Sequence, residues 1–274
     1  MMRVRLVVNP HSRRGKQLGA AVRAALRQHN IEPVESFGDD NASAIVVAGG
    51  DGTLVRQIPR ALALNVPIGI VPLGTFNDVA RTLDIPLDID GACAAIAAGH
   101  TRSVDIARVN DTYYLTEASV GISSRLARLQ HSRDKQRFGI LAVVASLFQA
   151  MRHARPFHAD VLYDEKRERF RAVQLTVANS QRFGGIITVD DASIEDGWLD
   201  LYAVEIDSFF ELFSVAGAIA SARRRSRPGL HALRSTAFEV LTRRPHHITA
   251  DGEPAGKTPA RFEILRKALR VFAP

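Results

Sequence analysis

Apolar and polar residues follow two different periods along this chain. In the first hundred positions, short and nearly unbroken β-branched runs at 4–9, 44–48 and 68–71 read as strands buried on both faces. Between and after them, residues 17–28, 54–63, 79–83 and 91–98 show helical patterning. Strands and helices alternating in this way predict a parallel sheet with helices on both faces. Beyond Thr101 the pattern changes. Residues 103–109 and 113–117 predict a hairpin turned by Asn110-Asp111, and 157–163 with 169–178 a second, joined through Asp164-Glu165-Lys166-Arg167. Further strands are expected at 199–204, 237–241, 247–250, 260–265 and 269–272, and two helices near 138–151 and 209–222. The second half is therefore mostly antiparallel β. The boundary falls near Arg102, giving an α/β domain at 1–102 and a β-rich, sandwich-like domain at 103–274, whose C-terminal residues are free to pack back on the first.

Two glycine-rich segments stand where strands give way to helices. Gly49-Gly50-Asp51-Gly52-Thr53 follows Ile45-Val46-Val47, and Gly74-Thr75-Phe76-Asn77-Asp78 follows Ile68-Gly69-Ile70-Val71. Ligands of parallel sheets bind beyond the carboxyl ends of the strands. Neighbouring loops there make one crevice lined by backbone N–H groups, which suits the phosphates of a nucleotide. Asp51 in such a crevice repels phosphate unless Mg²⁺ or a proton donor accompanies it, so it points to a metal–nucleotide complex; the alternative is a turn with a helix-capping Asp. Asn9-Pro10-His11-Ser12-Arg13-Arg14-Gly15-Lys16 is a third loop at a strand end, with basic residues able to meet phosphate.

Composition narrows the field only partly. With 274 residues the chain can bury a substantial core, and a single cysteine, Cys93, excludes a disulfide framework and a cysteine zinc site. The N-terminus enters a strand with no signal-peptide pattern, so a cytoplasmic location is expected. The formal net charge of +7 attracts nucleic acid, nucleotide or anionic lipid alike. Basic clusters beside apolar stretches (Arg223-Arg224-Arg225 with Arg227, and Arg133, Lys135 and Arg137 with Arg152) suit peripheral contact with an anionic membrane, although core helices account better for the apolar residues themselves. Nucleic-acid binding has no aromatic–basic motif behind it.

Other chemistries leave few traces. The chain has no P-loop, no protein-kinase His-Arg-Asp or Asp-Phe-Gly and no Gly-x-Ser-x-Gly, and its nine histidines form no His-Glu-x-x-His. Asp251-Gly252-Glu253 reads as a hairpin turn, or as a base and its partner at a cleft. Asp196-Gly197-Trp198-Leu199-Asp200 reads as a turn or as a cation site of carbonyls and a carboxylate, with Asp190-Asp191 adding negative charge nearby.

Taken in order, these segments resemble the diacylglycerol kinase catalytic domain family, which includes sphingosine and ceramide kinases. The resemblance is carried by Asn9-Pro10 with Ser12, the two glycine loops with Ala80-Arg81, Ala118-Ser119-Val120-Gly121, Val177-Ala178-Asn179 with Gly184-Gly185, Asp196-Gly197 with Leu199-Asp200, and Asp251-Gly252-Glu253. The first glycine loop is shared with NAD kinases, and the second narrows the choice to lipid kinases. The resemblance implies an α/β nucleotide-binding domain and a β-rich domain with the active-site cleft between them. It also implies an ATP-dependent, Mg²⁺-requiring lipid kinase at a membrane surface. ATP would be held by Asn9, Gly49, Gly50, Asp51, Gly52, Thr53, Gly74, Thr75 and Asn77, with Ser36 matching a family threonine that also touches nucleotide. Asp251 matches the general base, with Glu253 beside it and Asp51 in the catalytic set. Asp196 with the carbonyls of Ser193 and Trp198 matches a structural Mg²⁺ site.

The chain departs from the family where Val55 and Arg56 replace Asn and Glu, where Arg13 and Arg14 replace a small segment, and where Thr116-Glu117 replaces an asparagine. Diacylglycerol is the default acceptor. Alternatives are a sphingoid base, phosphatidylglycerol, an isoprenoid alcohol or NAD, or a nucleotide-binding, membrane-associated protein without turnover. Oligomeric state is left open, a homodimer included.

Overall fold

The computed structural model describes residues 1–9, 13–34, 42–121, 155–180, 182–183, 187–188, 193–205 and 229–274. The expected helices at 138–151 and 209–222, the basic clusters flanking them and Ser36 lie outside the described residues.

The first part runs β1 (Met2–Val8), α1 (Arg13–Gln28), β2 (Ile31–Val34), β3 (Ala44–Gly49), α2 (Asp51–Val55), α3 (Ile58–Leu64), β4 (Ile68–Pro72), α4 (Asp78–Thr82) and α5 (Ile89–Ala98). Strands β2, β1, β3 and β4 lie side by side and parallel. Every residue of β3 and β4 is buried, as continuous apolar runs between helical layers require. Helix α5 packs directly on β4: a Cβ on Gly69 would stand 2.8 Å from the Ile96 side chain. The sequence pattern gives one helix over 54–63, but the chain forms two. Pro59, in the first turn of α3, supplies no N–H and its ring would crowd the carbonyl of Val55 in a continuous helix.

The second part contributes β5 (Thr101–Val109), β6 (Thr112–Tyr114), β7 (Glu117–Gly121), β8 (Phe157–Tyr163), β9 (Lys166–Ala172), β10 (Gln174–Ala178), β11 (Arg182–Phe183), β12 (Ile187–Thr188), β13 (Leu199–Val204), β14 (Leu230–Ser235), β15 (Ala237–Thr242), β16 (His247–Ala250), β17 (Glu253–Lys257) and β18 (Ala260–Phe272). A six-stranded antiparallel sheet has the order β14-β13-β10-β7-β16-β17. The remaining long strands extend the first sheet, in the order β2-β1-β3-β4-β18-β15-β8-β9, with the β5–β6 hairpin on β18. Strand β18 thus joins the two parts. Val271 pairs in parallel with Ile68, and the same strand runs antiparallel to β5 and β15.

Two predicted strands are interrupted. The run 113–117 breaks at Leu115-Thr116, between β6 and β7. The run 169–178 breaks at Val173, where the chain leaves one sheet for the other. Gly121 faces that crossing with φ 116°, and a Cβ there would stand 2.3 Å from the Val173 carbonyl oxygen. Conversely, 260–265 and 269–272 form one strand with an irregularity between Leu265 and Leu269, where Lys267 has φ 49°.

Two apolar cores result. One gathers the α/β layers with Val104, Leu269 and Val271; the other, around Phe238, Phe262 and Leu201, fills the space between the antiparallel strands. Among the described residues, no helix is long and apolar enough to cross a membrane.

Candidate active site

The two glycine loops touch. Strands β3 and β4 end side by side, and the Leu73 amide donates to the Gly49 carbonyl at 2.9 Å. A Cβ on Gly74 would lie 2.6 Å from the Gly50 Cα, and one on Gly50 would lie 3.1 Å from the Gly74 Cα. Only hydrogen at both positions allows this approach. Asn77 adopts the left-handed conformation at φ 51° and braces the second loop: its Oδ1 accepts from the Gly74 amide at 2.9 Å, and its Nδ2 donates to the Gly74 carbonyl at 3.0 Å. Asn9, at the end of β1, donates through Nδ2 to Thr53 Oγ1 at 3.2 Å, drawing a third strand end to the same edge.

Asp51 links the loops rather than standing free between them. Its Oδ2 accepts from the Asp78 amide at 3.1 Å and its Oδ1 from the Val79 amide at 3.3 Å, at the start of α4. The carboxylate therefore caps a helix, though one belonging to the neighbouring loop. Burial raises its pKa, while the amide bonds oppose that shift. Thr75 and Phe76 are exposed at the rim of the crevice, Phe76 to 48%.

The second side of the cleft is the turn after β16. Asp251 (φ 46°) and Gly252 (φ 82°) turn the chain from β16 into β17. The Asp251 carboxylate fills the break between β6 and β7. Oδ2 accepts from the Leu115 amide at 2.7 Å. Oδ1 accepts from the Thr116 amide at 2.9 Å, the Glu117 amide at 3.1 Å and the Thr116 hydroxyl. Those amides are available because the strand is interrupted there, and a buried carboxylate needs such donors. Asn179 holds the same bend, donating through Nδ2 to the carbonyls of Leu115 at 3.0 Å and Asp105 at 3.2 Å. Beyond the turn, Glu253 reaches the first glycine loop. A Cβ on Gly52 would lie 3.7 Å from its Oε1, and Arg56 donates to that oxygen through Nη2 at 2.9 Å.

Negative charge concentrates at this turn. Burial pushes the Asp251 carboxyl above the ordinary range, against its several donors. Burial and the Asp251 charge push Glu117 up to about 7, with Asp78 adding to the effect and the Ser119 hydroxyl opposing it. Burial, then Asp251 and Glu117, raise Tyr114 well above its usual value. Its hydroxyl is fully buried and has no hydrogen-bond partner among the described residues.

The predicted cation site is differently organised. Asp196 Oδ1 accepts from the Trp198 amide at 3.0 Å, and Oδ2 pairs with Arg234. The Arg234 and Arg266 guanidinium carbons lie 5.7 and 5.6 Å from the Trp198 ring centroid. Ser193 receives the Asp196 amide on its carbonyl at 3.4 Å. With two guanidinium groups around Trp198 and one of them on the Asp196 carboxylate, Ser193, Asp196 and Trp198 as arranged do not fit a divalent cation. No group of three or more His, Cys, Asp or Glu suited to a metal occurs among the described residues.

The residues expected at a nucleotide are therefore brought together, except Ser36, which lies outside the described residues. Asn9, Gly49, Gly50, Asp51, Gly52, Thr53, Gly74, Thr75 and Asn77 share one edge, and Glu253 reaches it. Sequence reading did not assign roles to Thr116, Glu117 or Asn179 at the Asp251 turn, nor to Asp105. Asp105 is fully buried and accepts from the amides of Gly197 and Lys267, at 2.6 Å each.

Comparisons with known proteins match the chain in two stretches. A family model for the diacylglycerol kinase catalytic domain matches residues 3–109, and one for the YegS C-terminal NAD kinase beta sandwich-like domain matches residues 116–273. A protein named diacylglycerol kinase from Staphylococcus aureus is 29% identical over 239 residues, covering 86% of this chain and 76% of that protein. An uncharacterized protein of Synechocystis sp. is also 29% identical, over 88% of this chain and 57% of its own length, so the chain spans little more than half of that relative. A crystal structure titled as a diacylglycerol kinase from Bacillus anthracis str. Sterne shares the fold with a TM-score of 0.75 at 19% identity, covering 99% of this chain and 97% of that one. With both halves of the chain matched in sequence order, the chain belongs to the diacylglycerol kinase catalytic domain family.

Proposed function

We propose that this protein is a lipid kinase that transfers the γ-phosphoryl group of ATP to a hydroxyl of a membrane-derived lipid, diacylglycerol by default. The observation that carries this reading is the meeting of the Gly50–Gly74 contact with the acidic turn of Asp251, through Glu253 against Gly52. Backbone N–H groups of the loops would hold the phosphates. The carboxylates of the turn would take up the proton of the incoming alcohol, which is a poor nucleophile while it keeps that proton. Mg²⁺ would enter as part of the nucleotide substrate. Family membership and the relatives named diacylglycerol kinase support the lipid acceptor. The exposed Phe76 at the crevice rim supports an approach to lipid.

The test is transfer of labelled phosphate from ATP to a total lipid extract, with direct NAD phosphorylation as the control. Label in a lipid is expected, and its loss in Asp251→Asn. No labelled lipid would remove the proposal, and label in NAD would redirect it.

A further inference from the structure

Trp198 is the only tryptophan of the chain, and it is 39% exposed at the turn that leads into β13. A single exposed aromatic ring needs no explanation by itself, but its setting does. The Arg234 and Arg266 guanidinium carbons, from β14 and β18, stand 5.7 and 5.6 Å from its ring centroid. Arg266 Nε donates to the Gly197 carbonyl at 3.2 Å, and the Asp105 carboxylate on β5 accepts the amides of Gly197 and Lys267 at 2.6 Å each. The ring is thus mounted on a turn fixed from three strands, which leaves little ordering entropy to lose when a partner covers it. Arg234 is paired with Asp196. Arg266 and Lys267 are exposed, and neither side chain forms an ion pair among the described residues.

Register places this cluster on the cleft edge. Across the six-stranded sheet Arg234, Asp200, Ala178 and Glu117 pair in one row, and the Asp251 amide donates to the Glu117 carbonyl at 2.9 Å. The Trp198 turn and the Asp251 turn therefore stand at the same edge of that sheet, with β10 and β7 between them, roughly 14 Å apart at the usual strand spacing.

We propose that Trp198, with Arg266 and Lys267, docks this edge of the cleft on an anionic phospholipid surface. The lipid-kinase reading above, on which the choice of a membrane rests, requires the cleft to meet a bilayer, because two acyl chains hold the acceptor there. An indole ring settles at the headgroup level, its body in the apolar layer and its N–H in the wet one. The two cations beside it complement lipid phosphates, the guanidinium through paired N–H donors and the ammonium as a point charge.

The test follows Trp198 emission in the full chain without nucleotide. The probes are vesicles of phosphatidylcholine, alone or mixed with phosphatidylserine, with brominated acyl chains. On mixed vesicles the emission should shift to the blue and be quenched, and both changes should fade at high salt or on phosphatidylcholine alone. The double variant Arg266→Gln, Lys267→Asn keeps the tryptophan and gives position 267 a residue that tolerates its φ of 49°. It should weaken partitioning onto mixed vesicles about 30-fold and leave kcat on a dissolved short-chain diacylglycerol unchanged. Protein that sediments with vesicles while its emission stays constant would overturn the proposal, as would equal quenching on both vesicles. An emission shift that follows protein concentration without vesicles, or an added oligonucleotide, would give the surface to a second copy or to nucleic acid and overturn it too. Protein that docks as expected but phosphorylates no lipid would remove the lipid-kinase reading and keep the docking surface. Phosphorylation of dissolved diacylglycerol with no response of Trp198 to vesicles would do the reverse.

Discussion

Arg56 and Glu253 meet across the cleft at 2.9 Å although 197 positions separate them in the chain. The pair joins the residue after α2 to the turn after Asp251, and both side chains are more than half exposed. An exposed ion pair of this kind contributes little to stability, about 0–1 kcal/mol. Its place beside the first glycine loop matters more, since the guanidinium can turn toward a bound triphosphate. Arg56→Ala should therefore leave the denaturation midpoint nearly unchanged. It should raise KM for ATP by roughly three- to tenfold, an effect that shrinks as salt rises. Unchanged KM at low salt would show that Arg56 serves only Glu253.

The Gly50–Gly74 contact gives a sharper contrast. In Gly74→Ala the new methyl group would meet backbone at 2.6 Å, whereas a Cβ added to Gly252 would have nothing within 4 Å. Urea denaturation should show Gly74→Ala destabilised by roughly 1–3 kcal/mol, the range of overpacking, with nucleotide binding lost in step. Gly252→Ala should cost about 1 kcal/mol, from its positive φ alone. Equal costs would mean the loops do not close on each other.

Stability should depend on pH through Glu117. A carboxyl that titrates at about 7 when folded and near 4.5 when free binds more protons in the native state between those values. Stability from this group therefore falls as pH rises from about 4.5 to 7 and levels off above, by up to a few kcal/mol at about 1.4 per unit. Glu117→Gln should flatten that slope in denaturation series between pH 5 and 8. It should also be more stable than wild type at pH 8. A slope unchanged by the substitution would assign the proton uptake elsewhere.

Arg234 occupies the carboxylate that a divalent cation would need. Without nucleotide, Mg²⁺ or a chelator should move the wild-type melting temperature by less than about 1 °C. Arg234→Met should lower stability, since removing one partner leaves Asp196 uncompensated, and Mg²⁺ should restore part of the loss. Wild-type protein stabilised strongly by Mg²⁺ alone would show that the ion displaces the guanidinium.

The parallel strands and both glycine loops were legible because their signals are local. Buried β3 and β4 must be continuously apolar, and the Gly50–Gly74 approach demands glycine in each loop. The interrupted strand at Leu115-Thr116 was not legible, because its cause is the Asp251 carboxylate, supplied 135 positions later. Likewise the irregularity in β18 answers to Asp105, whose Oδ1 takes the Lys267 amide. In each case the local pattern favours a regular strand, and a distant carboxylate reverses the outcome. The capping role of Asp51 was visible only in kind: a turn-forming Asp was foreseen, but the helix it caps belongs to the other loop.

Strand β18 pairs with the open edge of β4 through Val271 and Ile68, which has a consequence for biosynthesis. A ribosome adding about 5–20 residues per second leaves that edge without its neighbour for roughly 10–40 s after β4 emerges. An exposed parallel edge invites pairing with other chains, so a chaperone would find its handle here. Nascent chains arrested before β18 should remain protease-sensitive around β4, and full-length chains should not.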